Sequence, residues 1–141
     1  MNPLKSKIQQ SIADQAANLK HIAAYIAANP ELGHEEKLAS ERLTAELEKL
    51  GFAVERGTLG LSTAFVAEYR SAKPGPTVAL LAEYDALPEI GHACGHHLIC
   101  TMALGAAAGL RAVLDETGGT VRVFGTPAEE TMGAKVDMAA A

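Results

Sequence analysis

Glu83, Asp85, Cys94 and the imidazoles of His92, His96 and His97 fall within one stretch of sixteen residues, Ala82–His97, AEYDALPEIGHACGHH. Cysteine and histidine offer the sulfur and nitrogen donors that zinc prefers, and carboxylates can complete such a set. In Cys94-Gly95-His96 a thiolate and an imidazole can converge across a glycine, with no side chain between them to crowd the pair. The same residue types also occur in loops where they are merely solvated or packed, so a second cluster has to be weighed with this one.

That second cluster is Glu129-Glu130, after Gly125-Thr-Pro-Ala. Thr126-Pro127-Ala128-Glu129 has the form of a helix-capping box with proline at the first helical position, and a carboxylate in a first turn is favoured by the helix dipole without any catalytic duty. The chemical alternative is that one carboxylate binds a metal while the other accepts a proton from water. Zinc lowers the pKa of a bound water toward neutrality, where a carboxylate can act as general base.

The elements that must bring the two clusters together can be read in order. Ile8, Ile12, Leu19, Ile22, Ala23 and Ile26 recur at helical spacing, and this helix should stop at Asn29-Pro30. A second helix is expected from about Glu35 to Leu50, closed by Gly51. Phe52–Glu55 and Thr63–Tyr69 read as short strands around a glycine-bearing turn. Thr77–Ala82, continuously apolar, reads as a strand covered on both faces. Gly95–Asp115 is a long helix whose small residues (Ala103, Gly105, Ala106, Ala107, Gly109) suit close packing on a sheet. Thr120–Phe124 is the next strand, and a last helix is expected from Thr126. Alternating strands and helices imply an α/β fold with a mixed, mostly parallel sheet and flanking helices. If Thr77–Ala82 and Thr120–Phe124 are parallel neighbours, both clusters lie at one sheet edge, beyond the carboxyl ends of the strands, where such folds place their sites.

The chain has 141 residues, 48% hydrophobic and 4% aromatic, with no tryptophan, so the length suits one domain with an aliphatic core. A net charge of −5 without a Lys/Arg cluster argues against nucleic acid and anionic membrane surfaces as partners. Two cysteines six apart make no disulfide framework; Cys100 reads as a core residue and Cys94 as the exposed thiol. The N-terminus lacks the apolar core of a signal peptide, and the near-apolar run Leu98–Leu110 is short for a bilayer span. A cytoplasmic location is expected.

AEYDALPEIGHACGHH followed by FGTPAEE, with the earlier Asn29-Pro-Glu-Leu-Gly33 and Glu35-Glu36, resembles the zinc-dependent aminoacylase/carboxypeptidase family of metallopeptidases, in the branch that includes p-aminobenzoyl-glutamate hydrolase. The resemblance implies an α/β catalytic domain holding two divalent metals, zinc or manganese. It also implies hydrolysis of a small amide substrate: an N-acyl amino acid, an aryl-amide of glutamate or a dipeptide. Carried over residue by residue, it makes Cys94, His96 and Glu130 metal ligands, Glu129 the general base and Asp85 an acid that orients a ligand. Glu83 flanks that acid without an assigned role. His92 is expected to be a hydrogen-bonded loop histidine, and His97 stands where related sequences more usually have Asn or Asp. His21 and His34 read as solvated.

Family members are longer by resemblance, and carry further histidine ligands and a lid or dimerisation domain; no histidine follows His97 here. The expectation is therefore a partial catalytic domain over residues 1–141, with an open sheet edge, binding at most one metal and inactive alone. A homo-oligomer is an expectation for the full-length form. The competing expectation is a non-catalytic module that binds one metal weakly or acts by association.

Overall fold

The structure is a computed structural model that describes residues 2–141. The first helix, α1, spans Pro3–Ala28. Asn2 caps it, its side chain accepting from the Leu4 N–H at 2.9 Å, with Pro3 at the first helical position. It stops where the sequence predicts: the Asn29 amide folds back onto the Tyr25 carbonyl at 2.8 Å, just before Pro30. Helix α2, Lys37–Lys49, begins two residues later than expected. Its free N–H groups are capped from a distance, the Glu31 carboxylate accepting from Leu38 and Ala39, both at 3.0 Å.

Strands β1 (Ala53–Arg56), β2 (Phe65–Arg70), β3 (Thr77–Ala82) and β4 (Thr120–Gly125) form one sheet in the order β1-β2-β4-β3. The β3–β4 pair is parallel, from Thr77↔Thr120 to Ala82↔Gly125, with helix α3 (His96–Thr117) as the crossover between them. The other two pairs are antiparallel. The sheet is mixed, as expected, but its parallel part is confined to β3–β4, because β2 returns to β4 in the opposite sense.

Two further expectations are corrected. β3 is an edge strand, not a strand covered on both faces: Val78 is 39% and Leu81 49% exposed. Among the described residues it has a strand neighbour on one side only; Leu80 and Ala82 join the core, while Ala79 and Leu81 open onto a groove that Met138 and Ala139 border. An uninterrupted apolar run reports composition, not coverage. The last helix, α4, spans Ala134–Ala140, eight residues beyond the expected start. Thr126 does not cap it. Its N–H and hydroxyl instead both bond the Ala82 carbonyl, at 2.9 and 3.1 Å, prolonging the β3–β4 ladder.

The core lies between the sheet and the helices, around Ile22, Ile26, Leu43, Leu47, Phe65, Tyr84, Leu104, Val121 and Val123. The Phe65 and Tyr84 rings stack with centroids 6.0 Å apart, and the buried Tyr84 hydroxyl donates to the Thr63 carbonyl at 2.6 Å. Cys100 is fully buried, as expected of a core residue. The glycines of α3 serve a different contact from the expected one. A Cβ on Gly105 would meet Leu19, and one on Gly109 would meet Ile8 and Ile12, so these gaps admit α1 rather than the sheet. Helix α3 extends past Leu98–Leu110 on both sides and is long and apolar enough, by length and composition, to cross a membrane. Here it packs against α1 and the sheet, with Cys100, Ala103, Leu104, Ala107 and Leu114 in the core.

Candidate metal centre

The parallel register of β3 and β4 puts their carboxyl ends side by side, with Ala82 opposite Gly125. Glu83 and Asp85 follow β3, and Glu129 and Glu130 follow β4. The first residue of α3, His96, is aimed between them. Gly95 makes that possible through its backbone: its φ is +81° and a Cβ there would meet nothing within 4 Å. The glycine thus relieves torsional strain rather than side-chain crowding.

His96 is buried and gripped at one ring nitrogen. Its Nδ1 lies 2.9 Å from the Asp85 carbonyl oxygen and 3.0 Å from Asp85 Oδ1. A carbonyl can only accept, so Nδ1 donates to it and Nε2 is the ring nitrogen left to face outward. Around Nε2 stand Glu83 Oε2 at 3.5 Å, Glu129 Oε2 at 3.6 Å and Glu130 Oε1 at 3.8 Å. The donor atoms of Glu83, His96 and Glu129 all lie within 4.8 Å of one another, the spacing of a set that could share one cation.

Asp85 ties the halves together. Its Oδ2 accepts from the Glu130 N–H at 3.0 Å, while Oδ1, buried beside His96, has no aligned donor, since the imidazole N–H points at the main-chain oxygen. Asp85 therefore orients a candidate ligand, His96, and the main chain of a second, Glu130. A buried carboxylate and three acids converging on the outward ring nitrogen of an imidazole form a cluster rich in ligand atoms, which suits a divalent cation.

The segment that carries Glu129 and Glu130 is a turn, not the first turn of a helix, so capping does not account for either carboxylate. Ala128 takes a positive φ of 58°. Two groups missed in the sequence hold it there. Fully buried Glu36 accepts from the Ala128 N–H at 2.8 Å with Oε1 and from the Thr63 hydroxyl at 2.8 Å with Oε2. Gly33 lets Ala128 approach so closely that an added Cβ would lie 2.9 Å from that of Ala128. The signal was present in Asn29–Glu36, which stood out only as a helix junction.

Cys94 lies on the exposed side of the cluster, and the neighbouring Glu130 carboxylate holds its thiol above the ordinary range. His92 and His97 form a tilted pair with ring centroids 5.3 Å apart. Both His92 nitrogens are buried without an aligned partner, with the Ile26 main chain close by. Burial, and then the neighbouring His97 and His96, lower the pKa of His92. His21 and His34 are exposed, as expected.

The family model of "Peptidase family M20/M25/M40" matches residues 79–140, the span that holds Glu83, Asp85, Cys94, His96, Glu129 and Glu130. Over these residues the chain matches peptidase family M20. It is 41% identical to Xaa-Arg dipeptidase from Mus musculus over 96% of this chain and 34% of that protein. It is 36% identical to one of the subunits of p-aminobenzoyl-glutamate hydrolase from Escherichia coli K12, over 87% of this chain and 29% of that one. A dinuclear metal-binding M20 peptidase from Bacillus subtilis superposes with a TM-score of 0.77 at 28% identity, covering 88% of this chain and 38% of that structure. The chain thus spans about a third of the length of the curated relatives it matches.

Proposed function

We propose that this chain supplies metal-binding and proton-handling residues to a metal-dependent amide hydrolase acting on a small amide or dipeptide. The reading is carried by one observation: His96 Nε2, its ring fixed by Asp85, faces three carboxylates at 3.5–3.8 Å. His96 and Glu130 hold the cation, with Cys94 beside Glu130 as the third ligand and zinc preferred over manganese because of the thiol. Glu83 is a further oxygen donor on the opposite side. When bound, the cation supplies Lewis acidity toward a carbonyl and acidifies water. Glu129, 36% exposed, can accept a proton from water and return it to a leaving amine. Asp85 keeps His96 in the tautomer that leaves Nε2 free. The names of the mouse dipeptidase and the bacterial hydrolase support the substrate class.

Activity belongs to the full-length form; the 141 residues alone bind at most one cation, loosely, and turn over no appreciable substrate. We place the protein in the cytoplasm, as a homo-oligomer when full-length, with neither nucleic acid nor membrane as partner; the net charge of −5 supports the last point. The test pairs two substitutions, measuring metal content and hydrolysis of N-acyl amino acids and dipeptides. In the full-length form, Glu129→Gln should retain zinc and lose turnover by at least about 10²-fold. Glu130→Gln should lose zinc. Full turnover by Glu129→Gln would remove Glu129 from the reaction, and zinc loss in that variant would make it a ligand instead.

A further inference from the structure

The two acids nearest His96 Nε2 each face a second positive group. Lys135, in α4, pairs through Nζ with Glu83 Oε1 and lies 3.9 Å from Glu129 Oε1. The other oxygen of each carboxylate, Oε2, is the one that faces Nε2 of His96. Glu83 and Glu129 therefore bridge an imidazole on one side and an ammonium on the other. Among the described residues, Lys135 is the one lysine or arginine within ion-pair distance of the carboxylates around His96. Its side chain is 34% exposed, so the flexible stem can swing into water without unpacking the core.

We propose that Lys135 is an internal counter-ion of this centre, held on the Oε1 side of Glu83 and Glu129, whose positive charge an incoming divalent cation must enter against, so that Lys135 sets how much free metal is needed to load the site. This rests on the metal-centre reading above. Four carboxylates, Glu83, Asp85, Glu129 and Glu130, converge within a few ångströms of one imidazole, and unneutralised like charges at such spacing repel strongly. Lys135 offsets that repulsion before metal arrives. A divalent cation removes the same repulsion more completely, and the ammonium beside it then opposes its binding. A lysine suits this use, being a compact charge with no fixed bidentate geometry to break.

The experiment is a zinc titration of the metal-stripped 141-residue chain against a chromophoric chelator, with thermal melts of the same samples. Lys135→Met and Lys135→Gln should bind zinc about tenfold more tightly, a modest gain for a partly exposed pair. Without zinc both variants should melt lower than the parent, and zinc should raise their melting temperature by more than it raises that of the parent. Lys135→Arg, which keeps the charge, should stay close to the parent affinity, as should Lys73→Met at the far end of the sheet. Equal or weaker zinc binding by Lys135→Met and Lys135→Gln overturns the counter-ion role while leaving the metal centre standing. Absence of zinc binding by the parent and by every variant overturns both.

Discussion

The carboxylate of Glu36 and the N–H of Ala128, 92 positions apart in sequence, meet at 2.8 Å inside the protein. This bond fixes the turn from which Glu129 and Glu130 project. Glu36→Ala should cost roughly 2–4 kcal/mol, because it strands both the Ala128 N–H and the Thr63 hydroxyl in a buried setting. It should also weaken zinc binding, since the turn loses its anchor. Chemical denaturation and zinc titration of the one variant read the two effects together. Unchanged zinc affinity would separate Glu36 from the centre.

Asp85→Asn tests orientation rather than ligation. Asparagine nearly preserves the volume, and its amide oxygen can still accept from the Glu130 N–H. What is lost is the negative charge beside His96. Zinc affinity should fall by about 10–100-fold with the fold retained. Isothermal titration and a circular-dichroism melt decide it, and parent-like affinity would reduce Asp85 to a packing residue.

Much of this site was legible in sequence, and for definite reasons. Cys94, His96, Glu129 and Glu130 belong to short motifs in which chemistry and spacing coincide, and the apolar run Thr77–Ala82 marked its strand at the observed boundaries. Glu36 was not legible as a positioning group. A glutamate beside a helix start looks solvated until a second segment, 92 residues on, supplies its partner. Lys135 escaped for the same reason, since its partners Glu83 and Glu129 come from other segments. The late start of α4 was hidden by a genuine local signal: Thr-Pro-Ala-Glu satisfies capping rules, but the tertiary pull of the Ala82 carbonyl on Thr126 outweighs them.

Gly125 marks a point where volume is limiting. A Cβ there would lie 2.2 Å from the ring of Phe65, which is itself fully buried. Gly125→Ala should therefore destabilise by about 1–3 kcal/mol despite the conservative size of the change. A urea melt checks this, and Phe65→Leu in the same background should restore part of the loss by vacating the ring's edge.

Alkaline pH should weaken the fold through Cys100. Burial pushes its thiol from the ordinary 9.0 up to about 12. The native state therefore keeps a proton that the unfolded chain gives up, so the stability is fully present below pH 9 and is lost as pH rises from 9 toward 12. Between about pH 8 and 10.5 the loss should be about 2 kcal/mol. Tyr84, whose hydroxyl is also pushed up by burial, adds to the decline above pH 10. Cys100→Ala should start less stable but lose about 2 kcal/mol less over that interval. Parallel pH profiles for the two proteins would show the thiol unburied.

The strand order β1-β2-β4-β3 has a consequence for biosynthesis. β4, which hydrogen-bonds to both β2 and β3, leaves the ribosome after both of them. Until Thr120–Gly125 emerges, β3 has no strand to pair with and the hairpin of β1 and β2 has no sheet to join. The nascent chain must then keep TVALLA, six uncharged residues, unpaired while roughly forty more are translated. Translation speed across α3, and whatever shelters β3 meanwhile, should govern yield more than the stability of the finished fold.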